Sequence, residues 1–506
     1  MPLFSWLPRV LRVTMAALMS AIFASAVAIA EPGTAPRPNI VWVMADDLGW
    51  GEPGLYPSAS PHGRIATPSL DRLGREGIVF RQAYAGYTVC APSRTAFFTG
   101  RHSGQFVKHG LSGTDIRPSE NVTTLADVLR GAGYRTGAFG KVAPLTSPQE
   151  QGFETFTGQV DQALCHNMYP AHIDTGIQQL NLELEGNRGK KSRPLCMSHP
   201  QLYNYTIDVF HEYGMAWLES VAKGTSPFFL YLSYTIPHAG GWGDAPQSPE
   251  DGAPVPTDLQ YADKPWPDVE KDHAAVITYL DGKVGDLLRR LASLGVDDNT
   301  LVFFASDNGA HLEGGHSHLF FDSTGGLPGH KRSMFEGGIR SPTMARWPAA
   351  VKPGRTSDFA WAFWDVLPTL AELAGAPAPP GLDGISIVPE LRGEVQPQHE
   401  YLFFTWMGDG RELQRHASRQ APGYTIRTGR WKGMVPHCSD VQRLRPSMAD
   451  EMRVYDLQSD PFETTDVAAN RTYLAARLKE LVISKSLTCM CYQCGYEPWT
   501  YQQLVV

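Results

Sequence analysis

Nearly continuous apolar runs alternate with amphipathic stretches along this chain, and that alternation limits its fold more than any other property. Residues 39–45, 227–233 and 301–305 are short, β-rich and almost wholly apolar, whereas 69–76, 123–132 and 274–294 carry apolar residues at helical spacing. A strand that is apolar on both sides must be covered on both sides. The pattern therefore predicts an α/β fold with a large, mostly parallel mixed sheet and helices on both faces. Polar residues that end such strands gather along one sheet edge, where ligands bind in this architecture. Asp46-Asp47 follows the first run and Ser306-Asp307-Asn308-Gly309 the third, so pairs far apart in sequence are expected close in space.

A connector rich in Gly and Pro covers 381–398. Beyond it, short strands at 424–427, 431–432 and 453–456 and a helix around 473–481 predict a smaller antiparallel α+β subdomain. We expect three segments: a signal peptide at 1–30, the main domain at 31–393, and the C-terminal subdomain at 394–506 with a cysteine-rich tail.

The compartment follows from the termini and the cysteines. Arg9 and Arg12 precede an uncharged stretch that ends Ala28-Ile29-Ala30, as in a secretory signal with a small-x-small cleavage site. An uncleaved anchor is the alternative, and no later stretch can span a bilayer. The whole chain carries a formal charge of −8, more negative still without the two arginines. That argues against nucleic acid and anionic membrane as partners. Of seven cysteines, setting Cys90 aside leaves Cys165, Cys196, Cys438, Cys489, Cys491 and Cys494, an even number suited to disulfides in an oxidising compartment. The tail Cys489-Met490-Cys491-Tyr492-Gln493-Cys494 read as a metal clip shows three thiols and no fourth ligand. Sequons at Asn121, Asn204 and Asn470 would carry glycans in a eukaryotic host. A secreted, periplasmic or lysosome-like location is expected.

Asp46, Asp47, Asp307 and Asn308 offer oxygen donors only, which select calcium or magnesium over zinc or copper. Each pair alone reads equally as a strand-end turn or a helix cap. Likewise, the Cys90 of Cys90-Ala91-Pro92-Ser93-Arg94-Thr95-Ala96-Phe97-Phe98-Thr99-Gly100-Arg101 alone reads as a buried cysteine before a turn proline.

Together these segments resemble the sulfatase family of the alkaline phosphatase superfamily, from residue 38 to about 455. Thr67-Pro68-Ser69-Leu70-Asp71-Arg72-Leu73 is similar to its first helix, and Ala132-Gly133-Tyr134-Arg135-Thr136-Gly137-Ala138-Phe139-Gly140-Lys141 to the strand that delivers an active-site lysine. Ser233-Tyr234-Thr235-Ile236-Pro237-His238 resembles the strand end with an active-site histidine. His330-Lys331-Arg332-Ser333-Met334-Phe335-Glu336-Gly337-Gly338 resembles the block with a second lysine. The resemblance implies that a formylglycine-generating enzyme converts Cys90 to formylglycine. It also implies that Asp46, Asp47, Asp307, Asn308 and residue 90 bind one calcium ion. Arg94, Lys141 and Lys331 would then surround the sulfuryl oxygens or hold the hydrated aldehyde, and His238 would protonate the departing alcohol. The implied activity is hydrolysis of a sulfate monoester of a carbohydrate or another alcohol. The alternatives are a phosphonate or phosphodiester hydrolase of the same superfamily and a degenerate protein that only binds sulfated glycans.

One departure matters. Many family members follow the lysine with a histidine that can serve as base for sulfate elimination, but Val142-Ala143-Pro144-Leu145 follows Lys141. His166, in Cys165-His166-Asn167-Met168-Tyr169-Pro170, is the candidate replacement. His311, His316 and His318 are weaker ones.

Overall fold

The strands of the main sheet are, in chain order, β1 (Asn39–Asp46), β2 (Ile78–Phe80), β4 (Arg135–Lys141), β5 (Thr155–Gln159), β6 (His172–Thr175) and β7 (Leu180–Glu183), then β8 (Phe228–Pro237), β9 (Thr300–Ser306), β10 (Thr343–Arg346) and β11 (Arg355–Ser357). They lie in the order β11-β2-β10-β9-β1-β8-β4-β5-β6-β7. The centre, from β9 through β1, β8 and β4 to β5, is parallel, and β10, β6 and β7 run antiparallel to their neighbours. Two short strands, β3 (Ala83–Tyr84) and β12 (Trp361–Ala362), pair beside it. This computed structural model describes residues 37–106, 109, 111, 113–162, 164–175, 180–189, 193–241, 252–406, 423–436 and 452–485. The expected signal peptide, Cys438, Cys489, Cys491 and Cys494 lie outside the described residues.

β1 shows why the sheet must be covered twice. Ile40, Trp42 and Met44 face one core, and Val41, Val43 and Ala45 face the other. Helices Cys90–Thr99, Leu125–Gly131 and Val366–Ala374 close the first side. Helices Pro68–Arg75, Thr206–Val221 and Asp268–Ser293 close the second.

The C-terminal sheet is antiparallel, with β13 (Leu402–Trp406), β14 (Gly423–Thr428), β15 (Trp431–Pro436) and β16 (Arg453–Asp456) in sequence order. Phe403, Tyr424, Ile426 and Val454 pack under Leu478 and Val482 of helix Thr472–Lys485. From the other face, Leu402, Phe404, Trp406, Met434 and Tyr455 join the core of the main sheet.

The expectation of paired cysteines fails at Cys165, a buried thiol that donates instead to the Gln162 carbonyl at 3.0 Å. No helix among the described residues is long and apolar enough to cross a membrane.

Candidate active site

Parallel pairing of β1 with β9 sets Ala45 opposite Ser306, so the residues that follow each strand emerge side by side. The Asp47 amide donates to Asp307 Oδ1 at 3.1 Å, and Asn308 Nδ2 donates to Asp47 Oδ1 at 2.7 Å. Asp47 holds a left-handed φ of +68°, uncommon for a residue with a side chain and typical of a site that fixes its geometry. β4 ends on Lys141, one residue after Gly140. With φ at +106° and the Ser233 carbonyl only 2.0 Å from where a Cβ would sit, no other residue fits at 140. Lys141 Nζ thereby reaches Asp46 Oδ2 at 2.6 Å. On the opposite side, Lys331 Nζ donates to Asp47 Oδ2 at 2.7 Å and lies 3.0 Å from His238 Nε2. The Nδ1 of His238 donates to the Ala239 carbonyl, which leaves Nε2 to face Lys331.

Cys90 is the first residue of helix Cys90–Thr99, entered from extended Val89. Pro92 is tolerated because the first turn leaves its amides unpaired anyway, and the helix ends on left-handed Gly100. All ten residues are buried; the apolar part of the motif is core, its hydroxyls bond to nearby backbone, and Cys90 and Arg94 reach the strand ends. Arg94 lies behind the strand-end carboxylates. Fully buried, it donates from Nε to Asp307 Oδ2 at 2.8 Å, and from Nη1 to the Lys141 carbonyl at 3.1 Å and Ser233 Oγ at 2.5 Å. It braces the carboxylates from behind.

The charges explain one another. Burial opposes ionisation of Asp46, but Lys141, His238 and Arg94 outweigh it, and its carboxyl sits well below the usual carboxylate range. For Asp307 burial and then repulsion from Asp46 prevail, pushing the carboxyl up to about 7. Two buried carboxylates this close resist ionising together even beside Lys141 and Arg94. Burial also raises the Cys90 thiol, so the unmodified side chain is a poor nucleophile. Donor atoms of Asp46, Cys90 and Asp307 lie within 4.8 Å of one another. Asp46 Oδ1 and Asn308 Oδ1 are buried acceptors with no hydrogen-bond partner among the described residues. Unsatisfied acceptors of this kind are rare, and a hard cation satisfies them. The donor set therefore fits calcium or magnesium.

His166 joins the site from the loop after β5. Its Nε2 lies 3.0 Å from Lys141 Nζ, and its ring stacks on that of His238 at 3.9 Å. Burial, then His238 and Lys141, hold it well below the usual imidazole value, so it is neutral at neutral pH. From the same loop Gln162 Nε2 donates to Cys90 Sγ at 2.8 Å. Glu313, absent from the sequence reading, accepts from Lys331 Nζ at 2.9 Å and lies 3.4 Å from His238 Nε2. Only its place between Asp307-Asn308 and Lys331 signalled it.

His273 and His316 form a buried cluster next to the site, joined to it through His311, whereas the His318 ring lies 4.8 Å from that of His330. His273 meets Glu52 at 2.6 Å, and His316 meets Glu270 at 2.7 Å. The His273 and His316 rings stack at 3.5 Å and nearly parallel, at 10°. His311 accepts from the Glu313 amide at 3.1 Å and orients that loop.

A model of the sulfatase family matches residues 38–376. The chain belongs to the sulfatase family. It is accordingly a sulfuric ester hydrolase, and a model of the N-sulphoglucosamine sulphohydrolase C-terminal region matches 327–486. Arylsulfatase A of Homo sapiens is 30% identical over 507 residues, covering 92% of this chain and 89% of that protein. Steryl-sulfatase of Mus musculus is 30% identical over 474 residues, covering 78% and 72%. Among solved structures, Ps i-CgsB in complex with k-i-k-neocarrahexaose shares the fold with a TM-score of 0.68 at 23% identity, covering 89% of this chain and 93% of that one. The phosphonate monoester hydrolase of Agrobacterium radiobacter shares it with a TM-score of 0.57 at 20% identity, covering 92% and 99%.

Proposed function

We propose that this sulfatase hydrolyses sulfate monoesters of a carbohydrate or another alcohol, with residue 90 as formylglycine and one calcium ion held by Asp46, Asp47, Asp307, Asn308 and residue 90. The observation that carries this reading is the pair of unpartnered buried acceptors, Asp46 Oδ1 and Asn308 Oδ1, in a site that includes Cys90, Lys141 and Lys331. A carbohydrate substrate is supported by the sulfatase-fold neighbour solved with D-glucosamine-2-N,6-O-disulfate as its substrate. Bound calcium would supply the charge that makes one hydroxyl of the hydrate nucleophilic at neutral pH, and the hydrate's second hydroxyl, on losing its proton, would expel sulfate and regenerate the aldehyde.

The side chains do the remaining work. Lys141 and Lys331 offer ammonium groups to the sulfuryl oxygens, and Arg94 keeps Asp307 and Asp46 aimed at the ion. His238 hands a proton to the departing alcohol with help from Lys331. His166, neutral and beside Lys141, accepts the proton lost during sulfate release, in place of the histidine missing at Ala143. Loss of His166 should then give a burst of alcohol followed by a stall, whereas a mere substrate contact would raise KM without a burst.

Turnover of 4-nitrophenyl sulfate against bis(4-nitrophenyl) phosphate tests the activity. Faster diester cleavage would assign a phosphodiester or phosphonate hydrolase. Release from neither, with sulfated glycan still bound, would assign a binding protein. A mass spectrum in which residue 90 of active enzyme has exchanged sulfur and two hydrogens for one oxygen supports formylglycine, and an unmodified thiol in fully active enzyme excludes it.

A further inference from the structure

We propose that Gln162 binds residue 90 directly and holds its hydrated aldehyde through the carboxamide, an inference that rests on the formylglycine reading above. Cys90 Sγ occupies the position of a hydrate oxygen, and Gln162 Nε2 donates to it at 2.8 Å. That spacing is ordinary for N–H···O, where about 2.7–3.2 Å is usual, and short for a bulky sulfur. An oxygen on the same Cβ sits slightly closer to that carbon and stays within the range.

The amide is also half empty. Gln162 Oε1 is buried with no hydrogen-bond partner among the described residues. A carboxamide presents one donor edge and one acceptor side by side, and a geminal diol offers hydroxyls that fill both. A thiol, with one weak donor, fills at most one. An unmodified Cys90 therefore leaves a buried acceptor unsatisfied, which the hydrate relieves.

The loop holds the amide in place. The Cys165 thiol donates to the Gln162 carbonyl at 3.0 Å, and the Leu164 amide donates to Asp161 Oδ1 at 2.8 Å. The Cys165 amide donates to the Asp161 carbonyl at 3.1 Å, and Gln159 Nε2 donates to the Leu164 carbonyl at 3.0 Å. Residues that fix Gln162 thus belong to the stretch that also delivers His166.

The test is Gln162→Met, which keeps the length and removes the amide. Mass spectrometry of the peptide bearing residue 90 comes first. Active wild type with an unmodified thiol there defeats the formylglycine reading and this inference with it. With formylglycine present, oxime formation at residue 90 with an aminooxy probe should be about 10-fold faster in the variant, because a hydrate no longer held releases free aldehyde. Per formylglycine, kcat on 4-nitrophenyl sulfate should fall about 10-fold with KM unchanged, the pattern of a contact to the reacting group rather than to substrate. A raised KM with a wild-type oxime rate would make Gln162 a substrate contact and overturn the inference, as would no change in either. Should Gln162→Met unfold, Gln162→Asn leaves the amide one methylene short and carries the same expectations.

Discussion

Lys331 and His238 stand 3.0 Å apart, yet one substitution in each divides charge stabilisation from proton transfer. Lys331→Ala removes a preorganised cation from the sulfuryl group and should lower kcat by roughly 10²-fold on any sulfate ester, measured by steady-state turnover. His238→Ala should cost far more on an alkyl sulfate than on 4-nitrophenyl sulfate, since nitrophenolate departs without a proton. Equal losses on both would remove His238 from the acid role. Asp307 adds a pH dependence. Burial and Asp46 raise its carboxyl to about 7 without an ion, and a ligand must be ionised to bind. Calcium affinity should therefore weaken as pH falls below about 7, with proton uptake by the site on release of the ion. Titration calorimetry at about pH 6 and about pH 8 in two buffers of different ionisation enthalpy would detect the exchanged proton, and equal affinities would refute the linkage.

At the scale of elements, the site depends on where strands stop. Gly140→Ala sets a Cβ against the Ser233 carbonyl of β8, so β4 must shift and carry Lys141 away from Asp46. We expect a lower melting temperature together with a loss of turnover on the scale of about 10²-fold or more, read by calorimetry and by 4-nitrophenyl sulfate hydrolysis. An unchanged rate would mean that Lys141 does not depend on this close approach. The strand ends were legible because apolar β1 stops at Asp46 and apolar β9 stops one residue before Asp307. The far half of β8 was less so: it runs on to Pro237, past the expected end at 233, because Tyr234, Thr235 and Pro237 break the apolar run while remaining buried. Helix Asp268–Ser293 likewise begins before the apolar pattern does. Its early polar residues are buried by partners from distant segments, as Glu270 is by His316 and His273 by Glu52. Glu313 was hidden for a related reason, since a lone glutamate announces nothing until Lys331 and His238 converge on it.

Across the whole molecule, the C-terminal sheet is tied to the block that carries Lys331 by a buried charge cluster. Lys432 on β15 reaches Glu336 at 2.9 Å and Glu463 at 2.7 Å, and the Glu336 amide donates to Glu463 Oε2 at 2.8 Å. Arg340 and Tyr84 complete the shell of Glu336 at 2.6 and 2.7 Å. Two carboxylates share one ammonium, and the cost falls on Glu463: burial, only partly offset by Lys432, and repulsion from Glu336 raise it from an ordinary 4.5 to about 7. Glu336 moves the opposite way, because Lys432 and Arg340 outweigh its burial. The sign of the linkage follows. Between about pH 5 and about pH 7 the unfolded chain gives up the Glu463 proton while the folded chain keeps it, so this group's contribution is present in acid and lost as pH rises. Glu463→Gln keeps the amide-accepting oxygen and never titrates. Its melting temperature relative to wild type should therefore climb from about pH 5 to about pH 8, measured by scanning calorimetry with calcium held constant. A difference that stays flat or falls over that window would show that Glu463 is already ionised in the folded protein, and that the seam beneath Lys331 is held by a fully charged cluster rather than by a shared proton.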